Sequence, residues 1–251
     1  MPRYGMVIDL QRCVGCGACA LACKTENNTA ERKNGQTFNW ADFIIETTGA
    51  FPNPKVVTMP VLCNHCTEAA CVEACPVEPK AMFKTEDGLT MHNDERCIGC
   101  QLCQEACPYS ALDVVEDGAQ YSIISFNDPD EPVHQRWLDT EELIEDCTAS
   151  GAEIARLTEQ IPPHRTRHRH PDYGSVRRPG VTEKCIFCDH RLAQGKLPAC
   201  VEACPSEARI FGDLEDPAVE ISKNLKKHGS FRLKEEAGTE PAVYYIRSFG
   251  A

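Results

Sequence analysis

Sixteen of the seventeen cysteines in this chain fall into four groups with closely similar spacing, and this spacing restricts the possible folds more than any other feature. Each group begins with two cysteines separated by two residues and ends with two separated by three. The gap between the two pairs is short in the first and third groups and longer in the second and fourth. In chain order, groups I to IV are Cys13, Cys16, Cys19 and Cys23; Cys63, Cys66, Cys71 and Cys75; Cys97, Cys100, Cys103 and Cys107; and Cys185, Cys188, Cys200 and Cys204.

The ends of three of these groups are nearly identical in sequence. The hexapeptide CVEACP occupies both 71–76 and 200–205, and CQEACP at 103–108 differs from it by one residue. Repetition of this kind indicates duplication of one structural unit. The chain is therefore expected to contain several copies of one cysteine-based binding unit.

The spacing has a direct chemical interpretation. In a C-x2-C-x2-C loop, three thiolates can converge on three irons of one cubane cluster, while the intervening backbone N–H groups turn toward its sulfurs. Small residues such as Gly15 and Gly99 let the backbone approach the cluster closely. The cysteine one helical turn further along is directed elsewhere, and in bacterial two-cluster ferredoxins it ligates the second cluster. Four [4Fe–4S] clusters are therefore predicted.

Two other uses of cysteine explain the pattern less well. Disulfides are typical of small secreted scaffolds, whereas this chain has 251 residues, of which 42% are hydrophobic, enough for an ordinary core. Four-cysteine zinc sites also use C-x2-C pairs, but they combine two separated pairs. Groups I and III instead have three closely spaced cysteines followed by a fourth, which favours iron–sulfur clusters.

The distances between groups predict how they pair. The segment between groups II and III has the pattern of a β-hairpin at 81–92 with its turn at 86–88, similar to the small sheet of a bacterial ferredoxin. We assign groups II and III to one module, 63–113, and groups I and IV to a second, made of 1–62 and 181–251 and wrapped around the first. Each module would bind two clusters. The predicted fold class is α+β, with two nested ferredoxin-like modules of small hairpins and short helices. Pairing of group I with II and of III with IV stays open.

Residues 114–180 contain no cysteine of the four groups and are predicted to be an insertion that contacts a partner. Within them we expect an acidic helix at Thr140 to Cys147 and a second helix at Ala152 to Gln160. A basic run at 164–170 is either a solvated loop or a surface that docks to an acidic partner. Cys147 is expected to be unreactive, because its acidic neighbours raise the pKa of a thiol.

Outside the cysteine groups, three further elements are predicted. Residues 1–9 and 242–248 have the pattern of short strands. Asp216, with Pro217 after it, should cap a helix that ends near Gly229 and serves as packing scaffold.

Charge and hydropathy exclude several functions. The net charge of −12 argues against nucleic acid as a partner, because phosphate binding requires a basic surface. No apolar run reaches the about 18 residues of a membrane-spanning helix. The first residues lack the features of a secretory or twin-arginine signal, so any export is expected to depend on a partner. No nucleotide-binding glycine loop or catalytic triad motif is present, which predicts a non-catalytic subunit.

The order of the four groups resembles the ferredoxin-type subunit of the molybdopterin oxidoreductases of the dimethyl sulfoxide reductase family, over nearly the whole chain. The flanking sequences are most similar to the small subunit of respiratory arsenate reductase and of anaerobic arsenite oxidase. These sequences are GMVIDL at 5–10, KTENN at 24–28, EKC at 183–185 with CDHRL at 188–192, PSEAR at 205–209 and YIRSFG at 245–250.

The resemblance implies which cysteines hold each cluster. Cluster 1, nearest the catalytic subunit, would use Cys13, Cys16, Cys19 and Cys204. Cluster 2 would use Cys23, Cys185, Cys188 and Cys200; cluster 3, Cys63, Cys66, Cys71 and Cys107; and cluster 4, the distal one, Cys75, Cys97, Cys100 and Cys103. Nitrate reductase relatives have tryptophan and a three-iron cluster at the position of Cys100, so cysteine here implies four cubane clusters.

The resemblance also implies the partners. A large catalytic subunit would carry molybdenum-bis-pterin, and a membrane quinone-reactive subunit or cytochrome c would exchange electrons with the other end of the chain. The complex would lie in the periplasm, exported with its catalytic subunit, or alternatively in the cytoplasm. Polysulfide, thiosulfate and tetrathionate reductases use similar subunits and are alternative settings, as is a stand-alone polyferredoxin.

Overall fold

The structure is a computed structural model that describes residues 1–27, 29, 40–110, 122–127, 139–142, 144–158 and 180–249. It contains short strands and short helices. The strands are β1 (Tyr4–Asp9), β2 (Ala41–Thr48), β3 (Lys55–Leu62), β4 (Met82–Lys84), β5 (Thr90–His92), β6 (Ile124–Phe126), β7 (Thr182–Lys184), β8 (Arg209–Asp213), β9 (Ser230–Phe231) and β10 (Val243–Ile246). The helices are α1 (Ala18–Asn27), α2 (Ala70–Glu73), α3 (Leu102–Ala106), α4 (Gly151–Thr158), α5 (Asp189–Leu192), α6 (Ala199–Glu202) and α7 (Glu220–Lys227). In the described ranges no helix has the length and apolar character needed to cross a bilayer.

The largest sheet joins the two ends of the chain. Its strand order is β8-β1-β10-β9, with β1 parallel to β10 and antiparallel to β8. Side chains alternate between the two faces of a strand, and both central strands use both faces. Met6 and Tyr245 lie in the main core, which also contains many of the cysteines, whereas Val7 and Ile246 pack with Ile221 of α7 on the other face. Burial on both faces accounts for the apolar sequence of the two predicted terminal strands, which the structure confirms.

Three two-stranded sheets complete the β structure of the described residues. β2 and β3 form a long antiparallel hairpin, and β4 pairs with β5 in the hairpin predicted between groups II and III. β6 pairs with β7, so this short part of the predicted insertion is a strand. Ser122 and Ile124 are buried there. The predicted insertion at 114–180 thus contributes one short strand to the core, and its role in contacting a partner stays a prediction.

The short helices pack in two pairs. α1, which follows group I, packs against α6 of group IV, and α2 of group II packs against α3 of group III. This arrangement supports the nested pairing of the cysteine groups. The mixture of short helices and small sheets confirms the predicted α+β class.

The acidic helix predicted from Thr140 to Cys147 is not found in the described residues 139–142 and 144–158. A turn at 145–147 replaces it, and Ile144 there is exposed. Like charges four residues apart destabilise a helix, and the exposed Ile144 adds no burial to compensate. The next predicted helix is present as α4. The basic run at 164–170 lies outside the described residues.

The helix predicted to begin at Pro217 begins instead at Glu220. The Asp216 carboxylate does accept a hydrogen bond, from the Ala218 N–H at 2.8 Å, but within the turn that precedes α7. The helix ends at Lys227, close to the predicted end. Asp216 therefore stabilises a turn, and its prediction as the cap of the helix is wrong.

Asp9 anchors group I to the central sheet. Its buried carboxylate accepts hydrogen bonds from Arg247 Nε at 2.8 Å and from the Gln11 N–H at 3.1 Å. Its carbonyl accepts a further bond from the Cys13 N–H at 3.0 Å. The end of β1, the end of β10 and the first cysteine of group I are thus held at one point.

Replacing Asp9 with alanine should destabilise the protein by about 3 kcal/mol, because it leaves Arg247 and a backbone N–H without their buried acceptor. We expect the cluster-loaded protein to lose its visible absorbance at a temperature several degrees lower, measured anaerobically. Arg12→Ala is the matched control, since Arg12 is 43% exposed and lies 3.6 Å from the same carboxylate. Such exposed pairs contribute at most about 1 kcal/mol. Equal effects of the two substitutions would contradict the anchoring role of Asp9.

Candidate functional site

Three cavities are each lined by four cysteines, three from one group and one from another. The space not filled by atoms is about 320 Å³ at the first, 340 Å³ at the second and 290 Å³ at the third, part of it open to solvent. We call them site 1 (Cys13, Cys16, Cys19 and Cys204), site 3 (Cys63, Cys66, Cys71 and Cys107) and site 4 (Cys75, Cys97, Cys100 and Cys103).

The other four cysteines of the groups also lie together, and we call this cluster of thiols site 2. They are Cys23, Cys185, Cys188 and Cys200, all buried. The Asn27 amide lies 3.5 Å from Cys23 Sγ and 3.9 Å from Cys188 Sγ and donates to both. Burial raises the pKa of Cys185, and the charges of its three companions and of Cys63 raise it further. The sixteen cysteines are thus gathered in the four sets that the family resemblance implies, while their role as ligands stays a prediction.

The first loop of every group has the same backbone conformation. The second residue after the first cysteine has a positive φ in each: Gly15 (65°), His65 (43°), Gly99 (70°) and Phe187 (49°). This conformation turns N–H groups toward sulfur. The N–H of Gly99 donates to Cys97 Sγ and that of Phe187 to Cys185 Sγ, each at 3.4 Å. Such donors stabilise thiolates and the clusters that they hold.

Positive φ is uncommon for residues other than glycine and costs conformational energy, so His65 and Phe187 require a compensating interaction. Their rings stack face to face, with centroids 3.8 Å apart. The two residues occupy equivalent positions in groups II and IV, and the stack therefore lies where the two modules meet. The Thr90 N–H donates to His65 Nδ1 at 3.1 Å, which fixes the ring orientation.

Burial disfavours the thiolate form of these cysteines when no metal is bound. It raises the pKa of Cys23 to about 12 and is the main reason that the pKa values of Cys66, Cys103 and Cys107 rise to about 11. Metal binding requires the thiolate, so loading these sites must release protons. Buried sets of four thiols with N–H donors directed at sulfur fit [4Fe–4S] clusters, whose ligands are cysteine thiolates.

Residues outside the cysteine groups complete the sites, although the sequence alone predicts no role for them. Thr182 Oγ1 lies 3.5 Å from Cys103 Sγ and 3.8 Å from Cys97 Sγ, although it precedes group IV. Lys184 lines site 3, and Arg209 lines site 1. Lys184 and Arg209 belong to the flanking sequences EKC and PSEAR, and this is the one feature of the sequence that could have pointed to them. Only the fold shows which site each one lines.

The packing of the elements shows which sites are neighbours. The contact of α1 with α6 joins sites 1 and 2, the contact of α2 with α3 joins sites 3 and 4, and the ring stack between the loops of groups II and IV joins sites 2 and 3. Charge effects between the thiols agree with this arrangement. After burial, the charge of Cys19 in site 1 is a cause of the raised pKa of Cys200 in site 2. Cys63 of site 3 acts in the same way on Cys185 of site 2. Burial raises the pKa of Cys71 in site 3, and the charge of Cys103 in site 4 adds to the effect. The order along the molecule is therefore 1-2-3-4.

The two ends of this row reach the surface. Cys16 of site 1 and Cys100 of site 4 are exposed, whereas the other fourteen cysteines of the groups are buried or half-buried. Beside them, Val14 is 69% exposed and Ile98 66% exposed. The seventeenth cysteine, Cys147, is also exposed and lines none of the three cavities.

Comparison with known proteins agrees with this architecture. The 4Fe-4S dicluster domain family matches residues 54–123 and 142–214, and the 4Fe-4S binding domain family matches residues 4–25. The arsenate respiratory reductase iron-sulfur subunit ArrB of Shewanella sp. (strain ANA-3) is 47% identical over 99% of this chain and 97% of its own length. A putative dimethyl sulfoxide reductase iron-sulfur subunit of Halobacterium salinarum is 35% identical, covering 98% of this chain and 79% of its own.

The chain belongs to the iron–sulfur subunits of the dimethyl sulfoxide reductase family. A tetrathionate reductase subunit of Salmonella typhimurium is a further relative, 33% identical over 97% of this chain and 72% of its own length. These relatives are iron–sulfur subunits and not catalytic ones. The present iron–sulfur subunit accordingly binds [4Fe–4S] clusters and transfers electrons, as its cysteine pattern predicts.

Replacing Cys100 with serine should alter site 4 alone, because Cys100 lines only that cavity. We expect iron to fall by about one per chain and a three-iron EPR signal to replace one cubane signal. Cys147→Ser should change neither iron content nor spectrum. Loss of a signal belonging to site 1 in the Cys100 variant would contradict the grouping of the cysteines.

Proposed function

We propose that this iron–sulfur subunit carries electrons between a catalytic subunit that holds molybdenum-bis-pterin and a quinone-reactive or cytochrome partner, in a complex that acts on arsenate or arsenite. Each [4Fe–4S] cluster, when bound, accepts and releases single electrons. The row of four sites with exposed ends carries the proposal. A row whose exposed cysteines lie at its two ends suits passage of electrons between two partners, and no substrate is needed along it.

The protein's own residues would serve three purposes in this role. The sixteen cysteines hold the clusters, with the ligand sets of sites 1 to 4. Backbone N–H groups, Thr182 and Asn27 donate hydrogen bonds to the sulfurs. Burial of site 2 excludes water from the middle of the row, so charge moves in surroundings that reorganise little.

The arsenic assignment rests on the relative with 47% identity, whose name specifies arsenate respiration. The tetrathionate relative, at 33%, supports a sulfur-oxyanion setting less strongly. Subunit similarity over nearly the whole chain favours conserved contacts with one type of catalytic subunit. We also propose that the complex lies in the periplasm and is exported together with the catalytic subunit.

The central experiment is purification of the complex through a tag on this chain. We expect a large molybdenum-containing subunit to co-purify, with about sixteen iron and sixteen sulfide per copy of this chain. The complex should turn over arsenate or arsenite with a redox dye, and tetrathionate poorly. Absence of the molybdenum subunit would favour a stand-alone polyferredoxin. Activity with tetrathionate and with neither arsenic species would reject the arsenic assignment. Cell fractionation that leaves the complex in the cytoplasm would reject the proposed location.

The two exposed ends allow a paired test of the direction of docking. Val14→Gln, beside site 1, should weaken association with the catalytic subunit, because a polar side chain replaces an apolar contact. Ile98→Gln, beside site 4, should leave that association intact and slow electron exchange with the quinone or cytochrome partner. Both substitutions are neutral, so direct effects on cluster charge are small. The yield of co-purified catalytic subunit measures the first effect, and the ratio of quinone-linked to dye-linked activity measures the second. A reversed pattern would show that site 4 faces the catalytic subunit.

A further inference from the structure

Two cations are buried next to the cysteine sites and have no carboxylate partner. Arg209, at the start of β8, is 3% exposed, and Lys184, at the end of β7, is 1% exposed. Within the ranges that the structure describes, neither side chain forms an ion pair with a carboxylate. A buried charge without compensation is costly, and an arginine cannot neutralise itself by losing its proton. The negative charge that balances these cations must therefore come from elsewhere.

The surroundings of Arg209 identify that charge for the first pair of sites. Its guanidinium lines site 1 and lies within reach of Cys19 there and of Cys200 in site 2. Its Nη1 donates to Met6 Sδ at 3.7 Å, and its buried Nη2 has no hydrogen-bond partner within geometric limits among the described residues. Burial opposes the charge of Arg209, yet the thiolates of Cys200 and Cys19 hold its pKa above the ordinary value. Arg209 thus stands between two sets of thiolates, with donors to spare.

Lys184 occupies a comparable place at site 3. It lines that cavity, and its charge favours the thiolate of Cys71, against the burial that raises the pKa of this thiol. Its ammonium group donates to the carbonyls of Thr90 and of Cys185, the latter at 2.9 Å. These neutral acceptors hold the group in position without cancelling its charge. In contrast, no lysine or arginine of the described part of the chain lines site 4. Half-buried Lys80 donates to the carbonyl of Cys75 at 3.1 Å, but it lies outside the lining of that cavity.

A cubane cluster with four thiolates is anionic and gains a further negative charge on reduction. A fixed cation next to it stabilises the reduced state more than the oxidised one and so raises its reduction potential, since net charge and hydrogen bonds to sulfur both set that potential. In a buried site the effect is weakly screened. Backbone N–H groups donate to cysteine sulfur at sites 1, 2 and 4. Buried cations, in contrast, line sites 1 and 3 and not site 4.

We propose that Arg209 and Lys184 are positioning residues for redox potential: Arg209 raises the potentials of the clusters at sites 1 and 2, and Lys184 raises that at site 3, leaving site 4 without such a cation. This proposal rests on the cluster positions in the proposed function. Electrons would then be held more strongly at sites 1 to 3 than at site 4. The charge of each side chain, and not only its volume, is the feature that matters.

The test is an EPR-monitored redox titration of the complex, or of the anaerobically reconstituted chain, for four variants. Arg209→Gln should lower two of the four midpoint potentials and leave the other two in place, and Lys184→Gln should lower a third. Arg209→Lys retains the charge and should move the same two midpoints by less than Arg209→Gln. Lys226→Gln removes an exposed cation of α7 and should move none.

Iron and sulfide content measured on the same samples separates the possible failures. Wild-type protein with far fewer than about sixteen iron atoms would refute the proposed function itself. Full loading with no shift, or with equal shifts of all four midpoints, would overturn the present proposal alone. Should Arg209→Gln fail to assemble, Arg209→Met replaces it as the neutral variant, and unchanged midpoints in that variant and in Lys184→Gln would assign these residues to folding instead. A selective shift in either variant would uphold the role of that charge.

Discussion

The fold depends on one constraint: each group contributes three cysteines to one site and its last cysteine to a neighbouring site. Cys204 of group IV lines site 1 among group I cysteines, and Cys23 of group I lies among those of group IV. Groups II and III exchange Cys75 and Cys107 in the same way. The exchange forces segments far apart in sequence into contact, and it explains why the strands of the main sheet come from both ends of the chain. Bringing the two ends of the chain together costs conformational entropy, but this cost grows only slowly with the length of the intervening chain. Burial of strands β1 and β10 offsets it.

The same exchange creates an electrostatic problem, because many thiols are buried within a small volume. Desolvation raises the pKa of most of those that shift, and mutual repulsion adds to it. Three features oppose this effect. N–H groups in left-handed loops donate to sulfur, polar side chains such as Thr182 and Asn27 donate from outside the groups, and Lys184 and Arg209 supply positive charge. A chain with a net charge of −12 thus places two uncompensated cations next to its thiolates, which indicates that local charge at the sites is arranged independently of the surface.

The four cysteine groups, the terminal strands and the hairpin at 81–92 could be predicted because they depend on local spacing and periodicity, whereas the cysteine set of each site was implied only by the family resemblance. The roles of Thr182 and Lys184 could not be predicted, because they depend on the position of β7. This strand pairs with β6 and runs from sites 3 and 4 toward site 2. The prediction of a helix from Thr140 to Cys147 was wrong because it rested on composition and not on a pattern of apolar residues that a helix could bury. The left-handed conformation at Phe187 could not be predicted either. Glycine, which favours this conformation, occupies the equivalent position in groups I and III but not in group IV.

Groups II and IV differ from groups I and III in a way that follows from their position in the row. The compact groups carry the exposed cysteines Cys16 and Cys100, and glycine occupies the left-handed position of their first loops. The groups with longer gaps meet at the centre, where His65 and Phe187 take the place of those glycines and stack on each other. Bulk at this position excludes water between sites 2 and 3 and also joins the two modules. The strain of two left-handed residues is therefore offset by ring stacking where the modules meet, whereas Gly99 lies against the carbonyl of Gly180, where a side chain would not fit.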